Sequence, residues 1–198
     1  CSIATCLLMS GHPVVAIAPI PVDMETAEFR IRKHLTKARE EGLINEAAEF
    51  YLKNLIISES YAELKVCQLV IECTIENEEI KRSVYGKIEA EIADHALLTS
   101  NTSAIPISEL QKLTQKPDRF FGLHWAEPSH TTRFLEIICG DQSDITKGEY
   151  LYELSHGWGK EPTLVRKDIR GFIANRLMYA MYREAFYLVE NGYATVED

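Results

Sequence analysis

The chain has no stripe of positive charge. Its 21 Lys and Arg are outnumbered by 30 Asp and Glu and stand scattered in ones and twos, leaving a formal charge of −9. Neutralising a phosphate backbone takes clustered cations, so nucleic acid is excluded as a partner. Long apolar runs are missing too. The two longest, near Ile3–Met9 and Val14–Ile20, are separated by Gly11, His12 and Pro13. Each falls short of the about 20 residues that span a bilayer, and neither forms a signal peptide. Paired cysteines are also absent: the five, at 1, 6, 67, 73 and 139, include no Cys-x-x-Cys, and four sit in apolar runs. They read as reduced core residues of a cytoplasmic protein. Nor is there an initiator Met. Cys1 opens directly in a helical pattern, Ile3, Cys6 and Leu7, stopped by Gly11, so further sequence is expected before it.

What is present is ample apolar material and a regular alternation of periods. With 198 residues, 46% of them hydrophobic, the chain can fill one core and begin a second domain. HPVVAIAPI reads as a buried strand, and Asp23 as the cap of a charged helix from about Met24 to Glu41. Gly42 breaks that helix, and another from Asn45 to Asn54 completes a hairpin inserted between strands. CQLVIECT is a continuous apolar run suited to a parallel strand covered on both faces. A helix over Asn77–Ala93 follows, then the strands ALLTS, RFFGLHW and RFLEIIC, a helix over Asp144–Trp158 ending near Gly157 and Gly159, and the strand TLVRK. Strands separated by helices of this length build a doubly wound, mostly parallel α/β sheet. After Asp168 the pattern becomes one long helix ending at Gly192, with Phe172, Ile173, Leu177, Ala180 and Met181 on an apolar stripe. It reads as the first helix of an all-α domain, which divides the chain into 1–168 and 169–198.

In doubly wound sheets ligands bind beyond the carboxyl ends of the strands. Glu72–Glu76, the Ser100–Ser103 turn and His124 all fall at such ends. His124 and Glu136 lie twelve residues apart on two short strands. A histidine that lifts a proton near neutral pH needs a carboxylate on its other ring nitrogen, and adjacent strands can supply the pair. The plain alternative is a core histidine and an edge-strand glutamate. A metal site at His124, Glu127 and His130, with Cys139 downstream, is disfavoured because the string lacks a helical i, i+4 pair and is interrupted by Pro128.

The series VIECTIENEEIK, SNTS, GLHW with FLEII, and RGFIANRL resembles the 3-hydroxyacyl-CoA dehydrogenase family in order and nearly in spacing over almost the whole chain. The resemblance implies a Rossmann-type NAD-binding domain followed by an all-helical domain that forms a homodimer, with the active site in the cleft between them. It puts the catalytic histidine and glutamate on His124 and Glu136, the active-site serine on Ser103 and the helical-domain asparagine on Asn175. It implies NAD-dependent oxidation of a 3-hydroxyacyl-CoA to the 3-oxoacyl-CoA, a step of fatty acid metabolism. His124 would be the base, while Ser103 and Asn175 would hold the substrate oxygens. Glu76 and Lys81 match positions near the cofactor, as does Ser103. A solvated helix start is the other account of Glu76 and Lys81.

Departures from the family cluster on cofactor and substrate binding. The Gly-x-Gly-x-x-Gly loop is not among these residues, Cys1 aligning just after its third glycine. The one Gly-x-Gly, Gly157 and Gly159, reads as a helix cap. Ala18 stands where an acidic residue would receive the adenosine ribose, and no neighbouring arginine favours a 2′-phosphate, so NAD remains the expected cofactor. Glu127 stands where the family has an asparagine, three residues after the histidine, which places a second carboxylate close to His124, able to raise its proton affinity or reshape the substrate pocket. The hairpin reads KAREEG, acidic for an anionic CoA tail, which keeps a free 3-hydroxy acid open as substrate. A non-catalytic relative is the further alternative.

Overall fold

The computed structural model describes residues 1–198. In chain order the elements are α1 (Ser2–Met9), β1 (Val14–Ile17), α2 (Pro21–Glu40), α3 (Ala48–Leu52), β2 (Leu55–Ser58) and β3 (Leu69–Glu72). They continue with α4 (Glu78–Glu89), β4 (Leu97–Ser100), α5 (Ile107–Gln111), β5 (Phe120–Trp125), β6 (Phe134–Cys139), α6 (Ile145–His156), β7 (Glu161–Val165) and α7 (Ala174–Glu190). Strands β3 to β7 lie side by side in sequence order. Every neighbouring pair is parallel except β5 and β6, which are antiparallel. β1 and β2 form a separate parallel pair. The α/β class with a mostly parallel sheet and a helix opening a second domain is therefore observed. No helix is long and apolar enough to cross a membrane.

Every residue of β4 and β5 is buried, as continuous apolar runs require when helices cover both faces. Alternation divides their side chains between two cores. One holds Leu98, Phe120 and Ile138 with Tyr85 and Ile88 of α4, Ile107 and Leu110 of α5, and Phe172. The opposite one holds Leu97, Phe121, Leu123, Trp125, Leu135 and Ile137 with Cys6 of α1 and Leu151 of α6. Period two then fixes which way the polar residues point. Glu72, Ser100, His124 and Glu136 fall on the strand positions of the first core, at its rim.

Several local expectations give way. α2 begins at Pro21, with Ile20 as its cap, so Asp23 lies inside the first turn and favours the positive helix end rather than capping it. The second hairpin helix is confined to five residues, and Leu55–Ser58 after it pairs with β1, the Asn54 carbonyl accepting from the Val14 amide at 2.8 Å. That strand is flanked by polar turns and too short to read from its pattern. Phe172 leaves the expected stripe altogether. Gly171 (φ 76°) and Phe172 (φ 51°) form a left-handed turn before α7, and the Phe172 side chain is fully buried. Such strain costs about 1–2 kcal/mol in a non-glycine residue, which burial of a phenyl ring at about 1.5–3 kcal/mol offsets. α7 itself has no buried residue, and Leu177, Met181 and Phe186 are exposed along it.

Gly122 sits at the closest approach of the first core to β5. A Cβ there would meet Ile107 Cδ1 at 2.8 Å and Ile138 Cδ1 at 2.9 Å. Gly122→Ala is expected to destabilise the fold by about 1–3 kcal/mol, as overpacking does. Urea denaturation checks this: the midpoint falls while the slope stays constant.

Candidate active site

Antiparallel pairing of β5 and β6 sets His124 directly opposite Glu136. Both project to the same face, and His124 Nδ1 lies 2.8 Å from Glu136 Oε2. The carboxylate can only accept, so Nδ1 carries the hydrogen and Nε2 is left as the free acceptor. The ring is set against Phe134 at 5.6 Å, edge on, and against Phe172 at 5.4 Å. Its neighbour oxygen, Glu136 Oε1, accepts from the backbone amides of Ile173 and Ala174, each at 2.9 Å. Burial by itself pushes the Glu136 carboxyl up. The hydrogen bonds from His124, Ala174 and Ile173 outweigh it and hold the group below the ordinary carboxylate value.

The Ser100–Ser103 turn is tied to this pair from two sides. Asn101 Oδ1 accepts from the Trp125 amide at 3.2 Å, next to His124. Asn175 Nδ2, in the first turn of α7, donates to the Ser103 carbonyl at 2.7 Å. Glu76, half exposed, accepts from Thr102 Oγ1 at 2.8 and 3.0 Å and from the Ser103 amide at 2.8 Å. Thus His124 is bonded to Glu136 and Glu136 to the Ala174 amide, and Asn175, the next residue along the chain, is bonded to Ser103, which is bonded in turn to Glu76. Lys81 stands apart from the open crevice: its side chain is 1% exposed and its ammonium donates to both oxygens of Glu72 at 2.9 Å.

Glu127 lies in the loop after β5 and takes a hydrogen bond from Ser129 Oγ at 3.4 Å, with none to His124. That loop is held by three residues with no strong sequence signal. The His130 ring stacks on His34 of α2 at 4.6 Å and 18°. His130 Nδ1 is 3.1 Å from Ser2 Oγ, and His34 Nδ1 is 3.3 Å from Thr5 Oγ1. The Lys160 ammonium, buried and over the Trp125 ring at 5.1 Å, donates to the carbonyls of Ser129 and Thr132. His130 and Cys139 thus serve other contacts, Cys139 in the second core, and no group of three His, Cys, Asp or Glu is arranged to hold a metal ion.

The donor set fits a dinucleotide. The Ser103 turn and Glu76 follow the carboxyl ends of β4 and β3, where sheets of this class bind dinucleotides. Ala18, just past β1, is buried and offers no carboxylate.

Fold and site together define an α/β dinucleotide-binding domain whose sheet carries a histidine–carboxylate pair. Residues 1–169 match the family model "3-hydroxyacyl-CoA dehydrogenase, NAD binding domain" and residues 171–198 match "3-hydroxyacyl-CoA dehydrogenase, C-terminal domain". The chain belongs to the 3-hydroxyacyl-CoA dehydrogenase family, oxidoreductases that use NAD. It is 30% identical to a probable 3-hydroxybutyryl-CoA dehydrogenase of Deinococcus radiodurans, over 98% of this chain and 70% of that one. It is 39% identical to 5-formyl-3-hydroxy-2-methylpyridine 4-carboxylate 5-dehydrogenase of Mesorhizobium japonicum, over 66% of this chain but only 42% of that protein's length. The crystal structure of (S)-3-hydroxybutyryl-CoA dehydrogenase PaaH1 from Ralstonia eutropha superposes with a TM-score of 0.92 at 29% identity, covering 99% of this chain and 69% of that one.

Stability is expected to fall in two stages on acidification. Burial holds His34 and His130 below the ordinary histidine value of 6.5, and His130 lowers His34 further. The folded state favours their neutral rings, so their contribution is complete above pH 6.5 and is lost as the pH falls below it. Glu136, depressed from 4.5, contributes fully above that pH and loses its contribution as the pH falls through its lowered value. Thermal melts across pH check the assignment: His130→Phe flattens the upper stage, and Glu136→Gln flattens the lower.

Proposed function

We propose that the chain supplies the NAD-binding part and the proton-accepting pair of an enzyme that oxidises the 3-hydroxyl of a 3-hydroxyacyl-CoA to the 3-oxo group. The observation that carries this reading is the buried His124–Glu136 contact, which leaves Nε2 as a base at the rim of the sheet. Bound NAD supplies the hydride acceptor. His124 Nε2 would take the hydroxyl proton while the hydrogen on the same carbon leaves with the C–H bonding pair as hydride, so that the alcohol becomes a ketone and one proton rests on the ring. Glu136 stabilises that imidazolium through Nδ1 without changing its own contacts to α7. Base assistance of this kind contributes about 10²–10⁴ in rate.

Ser103 and Asn175 hold the substrate oxygens, and their mutual hydrogen bond supports a joint role. Glu76 is assigned to the cofactor, Ser103 to cofactor and substrate alike, and Glu127 to the substrate side. Lys81 serves the cofactor site indirectly, since its ammonium is 3.7 Å from Glu76 and buried. The exposed apolar side chains of α7 support a homodimer. A second substrate class, a free 3-hydroxy acid, is favoured by Glu40 and Glu41 in the hairpin, and the relative of 39% identity is named for a carboxylate without CoA.

In the protein as its gene encodes it, NADH should form from 3-hydroxybutyryl-CoA and NAD. His124→Gln should lower kcat about 10²–10⁴-fold while NADH binding, followed by fluorescence titration, stays unchanged. Turnover of free hydroxy acids alone would select the second class. Absence of turnover with both classes would overturn the dehydrogenase reading.

A further inference from the structure

Beneath the Ser100–Ser103 turn lies a buried carboxylate that the proposed reaction leaves unused. Glu72 closes β3 at 3% exposure. It accepts from the Thr74 amide at 2.5 Å and hydroxyl at 2.6 Å, from Lys81 at 2.9 Å to each oxygen, from Tyr85 Oη at 3.0 Å and from Ser100 Oγ at 2.7 Å. Burial pushes this carboxyl up, and the bonds from Thr74, Lys81 and Ser100 bring it below the ordinary value. Removing both charges of the Glu72–Lys81 pair from water costs several kcal/mol per ion, and apolar residues of similar volume often stabilise a fold as well or better. Stability alone therefore gives no reason for it.

Its geometry does. Two routes lead from Glu72 into the turn. Ser100 Oγ, while donating to Glu72, accepts from the Thr102 amide at 3.3 Å. Lys81, while bound to Glu72, is 3.7 Å from Glu76, whose carboxylate receives Thr102 Oγ1 and the Ser103 amide. Glu72 and Ser100 are partners on adjacent strands. They share the face of the sheet that carries His124 and Glu136.

We infer that Glu72 is a positioning residue, which through Ser100 and through Lys81 with Glu76 fixes the Ser100–Ser103 turn and hence where Ser103 and Asn175 stand relative to His124. Its kinetic consequence rests on the dehydrogenase reading; its structural consequence does not. Tyr85 makes the discriminating control, because its hydroxyl donates to the same Glu72 oxygen as Ser100, beside Ser100 itself, yet makes no bond to Thr102, Ser103 or Glu76.

The test compares Glu72→Gln, Ser100→Ala and Tyr85→Phe in the protein as its gene encodes it, by NMR and by steady-state kinetics. Glu72→Gln and Ser100→Ala should shift the Asn175 side-chain amide signals and speed exchange of the Ser103 amide about tenfold. They should also lower kcat about 10- to 100-fold with KM within about threefold, the signature of lost positioning. Tyr85→Phe should do neither. Unmoved Ser103 and Asn175 signals in the first two variants overturn the inference, as does an equal response in all three, which marks a general loss of stability. If Glu72→Gln does not fold, Ser100→Ala decides alone. If the unaltered protein turns over no hydroxyacyl substrate, the dehydrogenase reading falls while the NMR comparison still decides this one.

Discussion

One carboxylate organises the site. Glu136 uses one oxygen to orient an imidazole and the other to receive the first amides of α7. Its own strand places it opposite His124, so the two cannot be separated without breaking the β5–β6 ladder. A buried charge left with one partner fewer is costly, and here every partner is itself part of the site. The consequence is that sheet, imidazole and the start of the second domain are held by the same few atoms.

The remaining contacts extend this order outward along the rim of the sheet. β3, β4, β5 and β6 each contribute a polar residue to one face, and helices supply the counterparts: Lys81 from α4 and Asn175 from α7. On the far side the loop after β5 is closed by a stacked imidazole pair and a lysine that has carbonyls for partners. The rim is thus fixed at both ends by hydrogen-bonded polar groups, which is how a fold obtains one arrangement rather than several.

Much of this was legible beforehand, for reasons that differ by residue. The alternation of apolar runs and amphipathic segments specifies the α/β class because burial on two faces demands it. His124 and Glu136 were legible as a pair because two short strands joined by a loop tend to lie side by side. The turn ending at Ser103 was legible as a strand end, but Asn175 was reached only through resemblance, since no local pattern links a turn to a helix 72 residues away. The burial of Lys81 was not legible: a lysine one turn into an acidic helix looks solvated until Glu72, ending an apolar strand, is seen facing it. β2 and the left-handed turn at Phe172 escaped because tertiary pairing and core space, rather than propensity, decide them.

The union of Glu136 with the N-terminus of α7 makes that helix an electrical neighbour of the imidazole. Its first amides supply partial positive charge to the same anion that the imidazole contacts. Were the helix to fray, two donors would leave the carboxylate and its affinity for a proton would rise. Proton affinity in the cleft is therefore coupled to the folding of a segment that buries none of its own side chains.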